Sequence, residues 1–150
     1  MMEIHITSWM PDWHEDPFLS SIIRLRRSVF VTEQNCPIDD EPDPQDAIAI
    51  HIGLFHGVDT IGCARLFIND DGTAKIGRVA VALACRRTGV GHRVMQAALD
   101  YTSKAGCHEV GLESQTHAIA FYEALGFVAF GPVFDDCNIP HRKMKRDLTQ

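Results

Sequence analysis

The sequence predicts a single α/β (α+β) domain over residues 1–150, in which helices pack on a mostly antiparallel sheet. Three observations predict this class: β-like apolar runs between turn signals, two stretches with helical periodicity, and an Asn-Asp-Asp-Gly hairpin signal at residues 69–72. A chain of 150 residues without an internal repeat or linker is the usual size of one domain that can bury a core.

The first half of the chain predicts one strand, one helix and a meander of three strands. Ile4 and Ile6 share a face of a strand over residues 3–8, and apolar positions at helical spacing predict an amphipathic helix over residues 19–30. Three prolines and five acidic residues mark residues 37–46 as an exposed loop. Antiparallel strands are then expected over residues 47–55, 60–68 and 73–81.

Beyond the meander, the spacing of apolar residues changes to that of a helix. Residues 87–104 predict a long helix, which Gly106 ends in the left-handed conformation typical of a residue after a helix. Thr116 is expected to cap a shorter helix that runs through Leu125 and stops at Gly126. The remaining strands are expected over residues 108–112, 127–130 and 139–146.

Charge and hydropathy argue against two classes of partner. The formal net charge of −6, from 14 basic and 20 acidic side chains, disfavours a nucleic-acid-binding surface, which needs a basic patch. No apolar run reaches the roughly 18 residues that span a bilayer, and the first residues lack the basic and apolar stretches of a signal peptide. We therefore expect no nucleic-acid partner, no membrane partner and a cytoplasmic location.

The cysteines and histidines do not form a metal-binding pattern. Cysteines are scattered without a Cys-x-x-Cys pair, which predicts reduced thiols rather than a zinc site or a disulfide framework. No two histidines lie four apart on a helix with a glutamate between them, so no metal is expected. The cysteines are Cys36, Cys63, Cys85, Cys107 and Cys137.

The most informative stretch is the start of the long helix, Arg86-Arg87-Thr88-Gly89-Val90-Gly91-His92. The first turn of a helix leaves backbone N–H groups unpaired, and the helix dipole favours negative charge there. Glycines let a pyrophosphate approach these donors closely, and arginines add charge-assisted hydrogen bonds. The spacing is Arg-x-x-Gly-x-Gly, without the third glycine of a dinucleotide fingerprint or the Gly-Lys-Ser/Thr of a P-loop.

A second motif, Ala-x-x-Phe-Tyr-x-x-x-Gly-Phe over residues 118–127, is by periodicity an ordinary helix that packs Tyr122 against the sheet. Together, the two motifs resemble the GNAT superfamily of N-acetyltransferases, and the order of strands and helices is similar to that family across nearly the whole chain. The segments Val-Phe-Val-Thr-Glu-Gln-Asn-Cys-Pro (29–37) and Ile-Pro-His-Arg-Lys-Met (139–144) resemble, more narrowly, its ElaA-like branch.

This resemblance implies a cleft and a co-substrate. The fourth and fifth strands of the sheet would splay apart, and acetyl-coenzyme A would bind between them, with its pyrophosphate on the residues 86–92 given above. The backbones of Val79 and Val81 would pair with the pantetheine arm, and the N–H of Ala80 or Val81 would bind the thioester oxygen. Gln115 stands where the family often has an asparagine that contacts the cofactor.

The resemblance also implies the reaction, which is direct attack of a primary amine on the thioester without an acyl-enzyme. Tyr122 would protonate the departing thiolate as general acid. Glu33, Glu113 and His141 are alternative general bases, with Glu33 and His141 favoured because they lie in the ElaA-like segments, and a water chain is a further alternative. The cysteines show no convincing local base, which disfavours a covalent intermediate.

Other functions stay open at this point. A non-catalytic acyl-coenzyme A sensor is one, although Tyr122 favours the enzyme because a sensor needs no acid beside the sulfur. An unrelated α/β interaction domain is another. The acceptor, a small-molecule or peptide amine, and a homodimer are also left open. The acidic residues of the loop either attract a cationic amine or are simply solvated. They are Asp39, Asp40, Glu41, Asp43 and Asp46.

Overall fold

A computed structural model of the chain describes residues 1–149. Its strands are β1 (Met2–Ser8), β2 (Ile50–His56), β3 (Asp59–Ile68), β4 (Thr73–Val81), β5 (Glu109–Gln115), β6 (Val128–Asp136) and β7 (Ile139–Asp147). Its α-helices are α1 (Pro17–Arg26), α2 (Val90–Lys104) and α3 (Ile119–Glu123). None of the helices within residues 1–149 combines the length and apolar character needed to cross a bilayer.

Within the described range, all seven strands form one sheet in the order β1-β2-β3-β4-β5-β7-β6. Neighbouring strands are antiparallel except for β4 and β5, which pair in parallel through residues 73–76 and 109–112. Past these residues the two strands separate while β5 continues along β7. The predicted sheet, mostly antiparallel and splayed between its fourth and fifth strands, is therefore confirmed.

Helices α1 and α2 cover opposite faces of the sheet, and two glycines allow their close approach. A Cβ on Gly53 of β2 would lie 3.2 Å from the side chain of Ile22 in α1. A Cβ on Gly62 of β3 would lie 2.7 Å from Val90 and 2.9 Å from Val94, both in α2. The main core lies on the α2 face and a smaller one under α1, where each buried large apolar side chain contributes roughly 1.5–3 kcal/mol.

The first helix changes from α-helical to π-helical geometry along its length. It begins where Asp16 caps it, because Oδ1 of Asp16 accepts the N–H groups of Phe18 at 2.9 Å and Leu19 at 2.8 Å. After α1 the chain continues as a wider π-helical turn, Arg27–Glu33. The single helix predicted over residues 19–30 therefore spans two kinds of helical turn.

The prediction of an exposed acidic loop over residues 37–46 is right for residues 37–40, 44 and 45, which are exposed, and wrong for Glu41 and Asp46. The segment folds into two short 3₁₀ turns, Ile38–Asp40 and Pro44–Ile48, and β2 therefore starts at residue 50 instead of 47. Glu41 is only 1% exposed and Asp46 is fully buried. Neither the role of attracting a cation nor simple solvation fits these two carboxylates.

Three arginines explain why these carboxylates are buried, and together they form what we call the arginine–carboxylate cluster. It consists of Arg26, Arg65 and Arg78 with Glu41, Asp43 and Asp46. Arg26 contacts Glu41 at 2.6 Å and Asp46 at 2.8 Å, while Arg65 contacts Asp43 at 2.7 Å. Three positive and three negative charges cancel, as buried charges require.

Helix boundaries also differ from the predictions at two places. α2 begins at residue 90 instead of 87, because Arg87 and Gly89 both have left-handed backbone, with φ of 64° and 88°. Thr116 does not cap α3, since a 3₁₀ turn, Thr116–Ala118, precedes this helix and no side chain caps it.

Cys36 and Cys137 form a disulfide, so the prediction of five reduced thiols is wrong. The two-residue turn between β6 and β7, with φ of 55° at Cys137 and 60° at Asn138, brings together cysteines that lie 101 residues apart, with Cα atoms separated by 5.8 Å. Sequence spacing carries no signal for such a pair. The free cysteines are Cys63, Cys85 and Cys107.

Candidate active site

A cavity of about 800 Å³ opens where β4 and β5 separate. Residues 76–81 of β4 line one side, and Leu112, Glu113 and Gln115 of β5 line the other. The start of α2, helix α3 and His141 of β7 complete the lining. Because the two strands no longer pair here, their backbone groups are available to a ligand that binds like an added strand.

A bulge in β4 accompanies the separation of the two strands. Arg78 has φ of 48°, and the register between β3 and β4 shifts beside it. The side chain of Arg78 contacts Glu41 at 2.6 Å and Asp43 at 3.0 Å. The arginine–carboxylate cluster therefore holds the bulged segment of β4 in its place at the cavity.

The electrostatics of this cluster depend on Asp46 at its centre. Burial by itself would raise the pKa of Asp46, but hydrogen bonds and charge from Arg26, with further hydrogen bonds from the Asp43 N–H and from Arg65, lower it to about 2. Asp46 thus stays ionised throughout the physiological range, and the cluster keeps its balance of charges.

The start of α2 presents unpaired backbone donors to the cavity. The first helical hydrogen bond runs from the N–H of Arg93 to the carbonyl of Gly89 at 3.1 Å. The N–H groups of Val90, Gly91 and His92 therefore have no intrahelical acceptor. Gly89, Gly91 and His92 line the cavity, as an anion-binding helix terminus requires.

The side chains of Thr88 and Val90, which belong to the same motif, stabilise the local structure and do not line the cavity. Val90 is 2% exposed and belongs to the core, and the hydroxyl of Thr88 donates to the carbonyl of Cys85, so neither side chain lines the cavity. A Cβ on Gly91 would lie 3.3 Å from the ring of Phe121, which shows how closely α3 approaches the start of α2.

The two arginines of the motif differ in their contacts. Arg86 donates two hydrogen bonds to Glu33, at 2.9 and 2.8 Å, and a third to the carbonyl of Val81 at 3.1 Å. Arg87 is exposed, lines the cavity and has no ion-pair partner within residues 1–149. Arg87 is therefore the guanidinium free to bind an anion.

The N–H groups of Ala80 and Val81, which are the two predicted donors to the thioester oxygen, point to opposite edges of β4. The N–H of Ala82 donates to the carbonyl of Ile61 in β3 at 2.8 Å. Since backbone groups of successive strand residues point to opposite edges, the N–H of Val81 points away from β3 toward the cavity, and that of Ala80 points toward β3. Val79 shares the edge of Val81. Among the two oxyanion donors that the sequence left open, Val81 has the suitable orientation.

Tyr122 lies on α3 and is 8% exposed, with its remaining surface on the cavity. Its hydroxyl has no hydrogen-bond partner within the described residues, and burial raises its pKa to about 12. The phenol therefore keeps its proton well above neutral pH. A protonated hydroxyl that is free to bond to a ligand in the cavity is suited to donate a proton.

The three predicted general bases have different surroundings. Glu33 is bound to Arg86 and does not line the cavity. Glu113 lines it, with Oε1 at 3.3 Å from Nζ of Lys75. His141 is 8% exposed and lines the cavity, and its Nδ1 lies 2.7 Å from the carbonyl of Ile139. Because a carbonyl only accepts, Nδ1 carries hydrogen and Nε2 of the neutral ring is the acceptor.

Gln115, expected to contact the cofactor, takes part in a link across the cavity. Its amide nitrogen donates to Gln34 at 3.0 Å, and Gln34 donates back at 3.4 Å. Nε2 of His117 also contacts the Gln115 oxygen, at 2.7 Å. One N–H of the Gln115 amide remains available to a ligand.

Several lining residues were not found from the sequence. Gln34 lies in the ElaA-like segment and Arg78 lies immediately before Val79. Both residues are therefore adjacent in sequence to residues that were predicted to belong to the site. Asp136, at the end of β6, had no signal because only the folded hairpin brings it to the cavity.

Comparisons with known proteins identify the family. The sequence matches the model of the Acetyltransferase (GNAT) family over residues 2–127. The chain belongs to this family. It is 34% identical to the protein ElaA of Escherichia coli (strain K12) over 136 residues, which cover 88% of this chain and 89% of ElaA. It is 33% identical to the uncharacterized N-acetyltransferase YjcF of Bacillus subtilis over 130 residues, 86% of this chain and 92% of YjcF.

Solved structures agree with this assignment. The crystal structure of E. coli ElaA has a TM-score of 0.85 at 30% identity, covering 98% of this chain and 100% of that one. The crystal structure of an acyl-CoA N-acyltransferase from Pseudomonas aeruginosa has a TM-score of 0.83 at 30% identity, and the match covers 97% of this chain and 99% of that one. The resemblance to the GNAT superfamily and its ElaA-like branch is confirmed, and this GNAT-family protein is an acyltransferase.

Proposed function

We propose that this GNAT-family protein is an N-acetyltransferase that moves the acetyl group of acetyl-coenzyme A to a primary amine by direct attack in a ternary complex. Acetyl-coenzyme A supplies the acetyl group already activated as a thioester. The observation that carries the proposal is a single cavity shared by the unpaired amides of α2 and the buried, protonated hydroxyl of Tyr122.

The residues around the cavity fit coenzyme A at its pyrophosphate and its pantetheine arm. Two phosphate charges match the N–H groups of Gly91 and His92, the positive end of the α2 dipole and the free guanidinium of Arg87. The exposed edge of β4 at Val79 and Val81 offers amide partners for an extended arm. The Pseudomonas relative, described as an acyl-CoA N-acyltransferase, supports the same donor.

In the proposed reaction, the nitrogen lone pair of the neutral amine attacks the carbonyl carbon of the thioester. The C–N bond forms, the C–S bond breaks, and negative charge develops first on the carbonyl oxygen. The N–H of Val81 stabilises that charge because it already points into the cavity. Tyr122 then donates its proton to the departing sulfur, and solvent later restores the proton.

The proton that leaves the amine goes to a base on the acceptor side. Nε2 of His141 is the best candidate, because its lone pair has no partner among the described residues and the ring lines the cavity. Glu113 is second, since Lys75 neutralises it. Glu33 is third, since both of its oxygens are occupied by Arg86, and a chain of waters can carry the proton onward.

We also propose that residues 1–150 act as one cytoplasmic domain with a small-molecule or peptide amine as acceptor. A panel of amines incubated with acetyl-coenzyme A, followed by detection of free thiol, tests the function. Thiol release that depends on both the amine and the protein is expected. Binding of coenzyme A without release for any amine would instead favour the non-catalytic sensor.

A further inference from the structure

A smaller cavity adjoins the large one on the side of His141. It holds about 80 Å³, room for roughly two or three waters and therefore for one ammonium or guanidinium group. The two cavities share Phe30, Gln34, Arg78, Gln115, Asp136 and His141. The disulfide between Cys36 and Cys137 lies along its lining.

The charges around the smaller cavity do not balance. Arg78 is neutralised within the arginine–carboxylate cluster, where Glu41 and Asp43 bind it. Asp40 and Asp136 also line the smaller cavity, and neither carboxylate has an ion-pair or hydrogen-bond partner within residues 1–149. Two uncompensated negative charges therefore face the same small space.

His141 gives an independent indication of a ligand. The residue is more than nine-tenths buried and lines both cavities, and its Nδ1 bond to Ile139 leaves Nε2 as an acceptor without a partner within residues 1–149. An accessible acceptor at this position takes its hydrogen bond from water or from the N–H of a ligand. An amine that passes from one cavity to the other would supply it.

The backbone that carries the two carboxylates is held in place before any ligand binds. Asp136 directly precedes the tight turn that contains Cys137, and the disulfide fixes this turn to Cys36. Asp40 lies in the 3₁₀ turn a few residues after Cys36. Because this backbone is fixed, little backbone entropy is lost when a cation binds between the two residues.

We infer that the smaller cavity is a subsite for a second positive charge on the acceptor, so that the preferred substrate is an amine with another cationic group. This inference rests on the proposed function. Phe134 pairs with His141 across the β6–β7 hairpin, and Asp136 lies two residues further along β6. His141 and Asp136 are therefore diagonal neighbours on one face of the hairpin, roughly 7–8 Å apart. A diamine with a short aliphatic chain spans that distance, with one amine at His141 and the other at Asp136.

The test compares diaminobutane with butylamine, which has the same chain and lacks the second charge. At low ionic strength we expect kcat/KM for diaminobutane to exceed that for butylamine by about tenfold, and added salt to reduce this preference. Asp136→Asn and Asp40→Asn should each lower the preference. The matched controls are Asp135→Asn and Asp39→Asn, neighbouring exposed aspartates that line neither cavity.

Calorimetric binding of the two amines, with coenzyme A present, separates this inference from the proposed function. Thiol release with no preference for diaminobutane, or a preference that Asp136→Asn and Asp135→Asn change equally, would overturn the subsite and leave the transferase. Preferential binding of diaminobutane that needs Asp136, without thiol release, would support the subsite and reject the transferase.

Discussion

Glu33 and Arg86 form a two-point ion pair, in which both carboxylate oxygens of Glu33 accept N–H groups of Arg86, at 2.9 and 2.8 Å. The pair joins residues that the sequence assigned to different tasks, one as a general base and the other as a pyrophosphate ligand. Such geometry fixes both side chains and neutralises both charges. We expect it to hold the π-helical turn Arg27–Glu33 against the loop before α2.

This pair leads to different expectations for the two adjacent arginines. Arg87→Ala should weaken coenzyme A binding by tenfold or more, because a charge-assisted hydrogen bond contributes about 1.5–3 kcal/mol. Arg86→Ala should weaken it less, because Glu33 already occupies that guanidinium. Calorimetry with coenzyme A measures both, with Arg24→Ala on the exposed part of α1 as control. A larger loss for Arg86→Ala than for Arg87→Ala would contradict this assignment.

Tyr122→Phe should lower kcat by about 10²–10⁴ with little change in coenzyme A affinity, because it removes only the proton donor. The matched control is Tyr101→Phe, which changes the other tyrosine of the chain, on α2. Steady-state kinetics of thiol release give both values. Equal turnover of Tyr122→Phe and the unaltered protein would remove Tyr122 from the mechanism.

The pH dependence should show the raised pKa of Tyr122. Burial raises this pKa to about 12 from 10.0, so the acid stays protonated up to strongly alkaline pH. We therefore expect no falling limb from Tyr122 below about pH 11 in a profile of kcat. A limb near pH 10 that disappears in Tyr122→Phe would show that the hydroxyl titrates normally.

The arginine–carboxylate cluster should make the fold sensitive to acid. The pKa of Asp46 is lowered to about 2 from 3.8, so its stabilisation is complete above about pH 4 and is lost as pH falls through 2. The loss should amount to about 2–3 kcal/mol in the free energy of unfolding. Denaturant titrations at several pH values measure it.

Asp46→Asn tests the same cluster by mutation. It should cost about 3–5 kcal/mol at neutral pH, because Arg26 and Arg65 keep buried charge without their central partner. Asp39→Asn, on an exposed residue that has no ion pair within residues 1–149, is the control. If both variants unfold at the same denaturant concentration, the cluster is not a source of stability.

The disulfide between Cys36 and Cys137 should stabilise the oxidised protein. Its loop spans 101 residues, for which loop-closure entropy predicts a gain of up to about 4–5 kcal/mol. Cys137→Ser should remove this gain, and Cys85→Ser, on a free cysteine, should not. With a reductant present, the unaltered protein and Cys137→Ser should unfold alike. A difference that persists in the reductant would contradict the disulfide as its cause.

Local signals explain what the sequence could predict. The hairpin at residues 69–72, the glycine after α2 and the helix start at Arg86–His92 each depend on residues close together in the chain, and such features predicted the strands and helices. The cavity between the fourth and fifth strands was implied by the resemblance to the GNAT superfamily. The bulge at Arg78 and the π-helical turn had no comparable local signature.

Long-range pairing explains what the sequence could not predict. Glu41 and Asp46 looked exposed because their partner Arg26 lies 15 and 20 residues away. Glu33 looked available as a base because Arg86 lies 53 residues away, and Cys36 looked reduced because Cys137 lies 101 residues away. From the sequence alone, a charged side chain is predicted to be exposed, because the distant partner that allows its burial is known only from the folded structure.

The most direct test is an NMR titration of the nitrogen-labelled protein with coenzyme A, which follows the backbone amides of Val90, Gly91 and His92 one by one. We predict that the Gly91 and His92 amide protons move downfield more than those near Lys104, because phosphate oxygens become their hydrogen-bond acceptors. Saturable binding of coenzyme A that leaves these amides unmoved would contradict the claim that the start of α2 holds the pyrophosphate.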